Sequence, residues 1–366
     1  MIRVLHVVTH MNRGGLETMI MNYYRNIDRS QIQFDFLVHR KEKAAYDDEI
    51  LSLGGRIYRL PKLNPFSFTY RQLLSLFFKK YDYQVVHVHQ DCMSAIILKE
   101  AKKRKVPVRI AHSHSSSQDK NIKYLFKLWY KRFIPKYATD LIACGEEAGK
   151  WMFSGKKFRV LNNAIDAKAY SFNPYIRDEM RFKLGISDSD IVIGHVGRFS
   201  STKNHTFLID TFNALNKTTD AKLLLLGDGE LRVEMEAKVN KLKLSDKVIF
   251  AGLQSNVENY LQAMDVFVFP SIYEGLPVTL IEAQASGLPC LVSENVPKEC
   301  KKTDLVRFFS LDRSFEEWAK EIIKMTTTKR INKYNEIVEC GFDIKQNADQ
   351  LMDFYYKQIE SRSIYT

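Results

Sequence analysis

Cysteine is scarce: Cys92, Cys144, Cys290, Cys300 and Cys340 are five in number, scattered, and never spaced C-x-x-C. That pattern excludes a disulfide framework and a cysteine zinc site, and points to reduced thiols. No run of about 18 apolar residues occurs, and the opening Met1-Ile2-Arg3-Val4-Leu5-His6 has neither a basic leader nor a signal-type cleavage site. A cytosolic chain that does not span a membrane is therefore expected. Low-complexity tracts and repeats of fixed period are also missing, as are helix-turn-helix, zinc-finger and RNA-binding signatures, so nucleic acid is not an expected partner. No G-x-G-x-x-G follows the first apolar run, which argues against a dehydrogenase.

What is present is an ordinary globular composition, 45% hydrophobic and 27% charged, over 366 residues. That length exceeds what one core supports, and two domains are expected. The formal net charge of +12 is unevenly shared: residues 1–175 hold 30 Lys/Arg and 15 Asp/Glu, a balance of +15, and the remainder 25 and 28, a balance of −3. A basic first half suits an anionic surface or a phosphorylated substrate.

Apolar runs alternate with helical patterns along the chain. Strands are predicted at Ile2–Thr9, Phe34–Val38, Arg56–Leu60, Val85–His89, Val108–His112, Asp140–Cys144 and Arg159–Leu161, then within Ile191–Phe199, running into a glycine-containing loop, within Ala221–Glu230, ending in a tight turn, and at Lys247–Gly252, Val266–Phe269, Cys290–Val292 and Val306–Phe309. Such alternation predicts two doubly wound parallel sheets. The expected domains are residues 1–170 and 191–343, joined by a polar linker with an attached helix over 171–190, with a last helix over 344–366 crossing back to the first domain.

Candidate site residues fall just past the strand ends, where open parallel sheets bind ligands. Gly14-Gly15 follows the first strand and precedes a helical pattern; it reads as a binding loop or as a plain turn. His87, His89, His112 and His114 alternate at strand ends, and no acidic or cysteine partner sits nearby in sequence, so hydrogen bonding, catalysis or a structural role is favoured over a metal. Arg198 and Lys203 bracket a loop ahead of a helix, a setting for a diphosphate or for a solvated surface pair. Glu274-Gly275-Leu276-Pro277 joins a strand to a helix that carries Glu282. Two carboxylates beside helix-terminal amides suit the hydroxyls of a phosphorylated sugar nucleotide better than its phosphates. The stretch Lys123–Lys136 interleaves Lys and Arg with Trp, Tyr and Phe at helical spacing, and Lys99–Lys105 adds five cations. This is either an interfacial helix for anionic lipid or an ordinary solvated basic face.

Gly14-Gly15, Gly197-Arg198 with Lys203, Gly227-Asp228-Gly229, and Glu274 separated by seven residues from Glu282 together resemble the retaining glycosyltransferases of GT-B fold called family 4, in particular bacterial exopolysaccharide and capsule enzymes. The resemblance covers nearly the whole chain. It implies two Rossmann-like domains facing a cleft, an acceptor domain first and a nucleotide-sugar domain second. Arg198 and Lys203 would contact the donor diphosphate, Glu274 the donor sugar, Gly275 and Leu276 would lend backbone amides, and Glu282 would hold the ribose. Gly14-Gly15 would close over the donor phosphate, and His112 or His114 would be the active-site histidine. The reaction implied is retaining transfer from a nucleotide sugar, with a UDP-sugar expected, to a glycan or polyprenyl-diphosphate-linked acceptor. No metal or other cofactor is expected, since Asp188-Ser189-Asp190 is better read as a turn than as a D-x-D metal motif. Anionic membrane docking through Lys123–Lys136 would place the enzyme peripherally on the inner membrane face. A catalytically silent nucleotide-sugar-binding partner and a GT-B epimerase are the alternatives.

Overall fold

A computed structural model describes residues 1–115 and 124–363. The chain divides into two units, residues 1–164 with 344–366, and residues 165–343.

In the first unit, β1 (Ile2–Val8), β2 (Ile32–Val38), β3 (Ile57–Arg59), β4 (Val85–Val88), β5 (Val108–Ser113), β6 (Asp140–Ala143) and β7 (Arg159–Val160) form one sheet ordered β3-β2-β1-β4-β5-β6-β7. Every pairing is parallel. Parallel strands covered on both faces are near-continuously apolar. In β1, Val4 and Val8 pack with the helices Gly15–Asn26 and Ile344–Ser363, and Leu5 and Val7 pack with Phe68–Lys80 and Ser94–Lys103. Asp35 is the exception in fully buried β2, and it is answered by the Arg3 guanidinium, whose Nε donates at 2.7 Å, and by the Tyr83 hydroxyl at 2.9 Å. The final helix belongs to this unit and puts Leu351 and Tyr355 into its core.

In the second unit, β8 (Ile191–Val196), β9 (Ala221–Leu226), β10 (Val248–Gly252), β11 (Val266–Phe269), β12 (Cys290–Ser293) and β13 (Val306–Phe309) are parallel and ordered β10-β9-β8-β11-β12-β13. The winding reverses between β8 and β11, as it does between β1 and β4 in the first unit. Residues 171–190, expected as a linker, lie inside this unit: the helix Pro174–Lys183 is capped by the Asn173 side chain, and its Arg177 Nη2 donates to Asp265 at 2.6 Å. The pairs of Arg177 and Arg181 with Asp265 and the packing of Met180 hold this helix, expected beside the linker, to the second unit. Asp190 Oδ2 accepts from the Ser187 N–H at 2.8 Å, closing a turn around Asp188-Ser189-Asp190.

The single helix expected over Lys123–Lys136 is two, Tyr124–Lys131 and Ile134–Tyr137, and Lys123 lies outside the described residues. Pro135 accounts for the break, because it has no N–H and its ring clashes with the carbonyl four residues back. All five cysteines are free. Among the described residues no helix is long and apolar enough to cross a membrane.

Candidate functional site

The carboxyl edge of β8 and β11 carries the charged candidates. Gly197 follows β8, and a Cβ there would lie 3.3 Å from Lys203 Cδ, so glycine leaves room for the lysine stem. Gly227 has φ of +133°, and a Cβ on it would meet the Gly197 carbonyl at 2.1 Å. Its close approach, with the Phe199 N–H donating to the Asp228 carbonyl at 3.1 Å, lays the loop after β9 against the loop that holds Arg198. The loop after β11 is tied to the same place: the Ile272 N–H donates to the Thr202 carbonyl at 2.8 Å, and Asn204 Nδ2 to the Pro270 carbonyl at 3.2 Å.

These ties bring Lys203 and Glu274 together from opposite sides of the reversal, with Nζ 2.7 Å from Oε1. Both side chains are mostly buried, at 18% and 13% exposure. Lys203 Nζ also stands 4.7 Å from the Phe269 ring centroid. Arg198 instead reaches into solvent and pairs with Glu230 at 3.0 Å, an exposed contact of small worth that a ligand can displace. Lys203 sits in a 3-10 turn before the helix His205–Asn216, whose N-terminal end has no side-chain cap.

Glu282 lies in the helix Val278–Ala285, where burial pushes its carboxyl up to about 7 against the help of a Tyr170 hydrogen bond, and nearby Glu258 raises it further. Tyr170 was not legible as a partner, being 112 positions distant. Gly275 is exposed, lies outside the left-handed region, and a Cβ on it would meet nothing within 4 Å. The residue keeps the approach to the loop open. Leu276 packs beside the helix Val278–Ala285, and Pro277 caps that helix.

The corresponding edge of the first unit carries imidazoles instead. The register pairs His6 with His87 across β1 and β4, and five histidines converge. His114 Nε2 lies 2.8 Å from His89 Nδ1, and His89 Nε2 lies 3.0 Å from His6 Nδ1. His112 Nδ1 lies 3.1 Å from His87 Nε2, whose Nδ1 lies 2.8 Å from the Tyr355 hydroxyl. Burial lowers all five, His6 and His114 to about 3, and the neighbouring imidazoles lower His87, His89 and His112 further. The cluster is neutral at pH 7. Two triads, His6 with His87 and His89, and His89 with His112 and His114, place ligand atoms within 4.8 Å of one another, although those nitrogens already engage one another at hydrogen-bond spacing. His6 and Tyr355 escaped the sequence reading; the alternation of His87 with His89 and of His112 with His114 was the available signal, once β1, β4 and β5 were placed side by side. His112 is buried with Nε2 unpartnered, and His114 is partly exposed. Gly14 caps the helix Gly15–Asn26 from an extended conformation, and a Cβ on Gly15 would meet nothing within 4 Å.

Two Rossmann-like parallel sheets of this kind are those of the GT-B fold. Residues 13–169 match Glycosyltransferase Family 4 and residues 176–341 match Glycosyl transferases group 1. The chain belongs to this glycosyltransferase family. It is 38% identical over 369 residues to EpsF of Bacillus subtilis (strain 168), covering 96% of each chain. It is 27% identical over 315 residues, 80% of each chain, to the UDP-Gal:alpha-D-GlcNAc-diphosphoundecaprenol alpha-1,3-galactosyltransferase of Escherichia coli. Among solved structures it is similar to Anabaena Alr3699/HepE in complex with UDP and glucose, with a TM-score of 0.76 and 16% identity over 98% of this chain and 100% of that one.

Proposed function

We propose that this glycosyltransferase moves a sugar, with retention of anomeric configuration and without a metal, from a UDP-sugar to a hydroxyl of a lipid-diphosphate-linked saccharide during assembly of a bacterial exopolysaccharide or capsule. The observation that carries the donor half is the Lys203–Glu274 pair at the switch point of the second unit. A mostly buried lysine already balanced by a carboxylate has its charge fixed in place before substrate arrives, so stabilising a leaving diphosphate needs little reorganisation.

In the proposed reaction the bond from the anomeric carbon to the phosphate oxygen breaks, the acceptor oxygen bonds to that carbon on the same face, and the acceptor's proton passes to the departing phosphate. Lys203, Arg198 and the N-terminus of the helix His205–Asn216 take up the developing charge. Glu274 accepts hydrogen bonds from the transferring sugar, Gly275 and Leu276 offer backbone N–H groups, and Glu282 accepts from the ribose. Gly14 and Gly15 contribute an open loop on the first unit. Of the two histidine candidates we assign the sugar contact to His114, which is partly exposed where His112 Nε2 is sealed. The Escherichia coli relative, named for a UDP-linked donor and a diphosphoundecaprenol acceptor, supports the choice of both substrate classes. Leu125 and Trp129, 74% and 52% exposed beside Lys127 and Lys131, support a peripheral position on anionic lipid at the inner membrane face.

A panel of UDP-, GDP- and ADP-sugars incubated with the full chain tests the donor assignment. Slow hydrolysis of a UDP-sugar, lost in Glu274→Ala, is expected without added metal. Hydrolysis that appears only with a divalent cation, or that survives Glu274→Ala, contradicts it.

A further inference from the structure

A cavity of about 770 Å³ opens in the first unit, lined by none of the five clustered histidines. Its floor is polar and lies at the carboxyl ends of three strands. Thr9 follows β1, His39 follows β2 and Gln90 follows β4; the Thr9 hydroxyl donates to Gln90 Oε1 at 3.2 Å, Gln90 Nε2 lies 3.1 Å from His39 Nδ1, and His39 Nε2 lies 2.9 Å from the Tyr70 hydroxyl. Its walls are apolar, formed by Leu63, Phe66, Met93 and Phe126. Phe66 and Phe126 meet edge to face at 5.9 Å, yet remain 69% and 56% exposed. Three cations, Arg40, Lys62 and Lys127, also line the cavity, and among the described residues neither Arg40 nor Lys62 forms a salt bridge; Arg40 donates to the His39 carbonyl at 2.8 Å.

The combination selects one kind of occupant. Arg40 and Lys62 beside a polar floor call for an anion, and exposed aromatic walls call for apolar chain; the volume falls within the range of small-molecule sites. A free neutral glycan can stack on the aromatic walls but leaves the cations without a counter-charge. A flat lipid surface needs no cavity beneath its aromatics. A prenyl diphosphate has both parts, joined in the right order.

We propose that this cavity is the carrier subsite of the acceptor: Arg40 and Lys62 bind the diphosphate, and Phe66 with Phe126 takes the first isoprene units. This rests on the lipid-linked acceptor proposed above. The guanidinium can meet two phosphate oxygens in its plane, the lysine adds a point charge, and the aromatic pair sheds its exposed area on contact with the chain.

Calorimetric titration of farnesyl diphosphate into the full chain saturated with UDP tests the subsite, because UDP then occupies the donor cations. Farnesyl diphosphate is expected to bind at least about tenfold more tightly than inorganic diphosphate or farnesol alone. Arg40→Ala/Lys62→Ala and Phe66→Ala/Phe126→Ala are each expected to weaken it by about tenfold or more, Arg40→Lys by less. Thermal stabilisation by UDP is expected to persist in every variant and reports that each is folded. Farnesyl diphosphate binding no tighter than inorganic diphosphate, or unchanged in both double variants, overturns the carrier subsite. If UDP itself neither binds nor stabilises the wild-type chain, it is the donor assignment that fails.

Discussion

The two sheets share a strand order up to the reversal, and their carboxyl edges have opposite electrostatics. The β8/β11 edge concentrates permanent charge: Lys203 faces Glu274 at 2.7 Å and Arg198 stands free to swing from Glu230. The β1/β4/β5 edge concentrates groups held neutral, five histidines whose proton affinity burial has lowered. One scaffold thus serves two chemistries. Fixed charge suits a diphosphate that gains charge as it leaves, and neutral imidazoles suit hydroxyls that must be oriented without being ionised. Sheet topology supplies the place, and the residues at the strand ends decide what binds there.

The comparison breaks most visibly on the charged edge. Lys203→Ala is expected to lower transfer by about 100- to 1,000-fold with UDP-sugar donors, measured as steady-state rate, and His114→Ala by less. Equal losses would erase the distinction between the edges. Next in size is pH dependence. Glu282 has its carboxyl raised from 4.5 to about 7 in the ligand-free fold, so the folded chain keeps a proton that the unfolded chain gives up, and this residue's contribution to stability falls as pH rises from 4.5 to 7. If the ribose is bound by the carboxylate, UDP affinity should rise by about tenfold between pH 6 and pH 8, and Glu282→Gln should flatten the profile. The histidine edge has the opposite sign. His6 and His114 fall from 6.5 to about 3 on folding, so their contribution is complete above pH 6.5 and is lost as pH falls toward 3. His89→Phe is expected to reduce that acid sensitivity in circular-dichroism titrations. The smallest effect separates two glycines: Gly275→Ala should change stability by under about 0.5 kcal/mol while weakening donor binding, whereas Gly227→Ala, at φ +133° against the Gly197 carbonyl, should destabilise the unit outright.

Strand positions were legible because buried parallel strands read as continuous apolar runs, and each predicted run overlaps a strand. The loop residues Arg198, Lys203 and Glu274 were legible by type and place. What escaped depended on contacts distant in sequence. Tyr170 meets Glu282, Tyr355 meets His87, and Arg177 meets Asp265, each through folding that no local pattern encodes. The helix break at Pro135 was readable and was outweighed by the periodicity around it. A helix beside the linker was legible at Pro174, but the pairs of Arg177 and Arg181 with Asp265 that hold the helix Pro174–Lys183 to its unit were not.

Calorimetric titration of UDP into the full chain and into Lys203→Ala and His114→Ala tests the division of labour most directly. Binding in the wild type, lost by about 100-fold in Lys203→Ala and kept within about threefold in His114→Ala, is the predicted result. UDP affinity that ignores Lys203→Ala and collapses in His114→Ala would contradict the assignment of the donor to the charged edge.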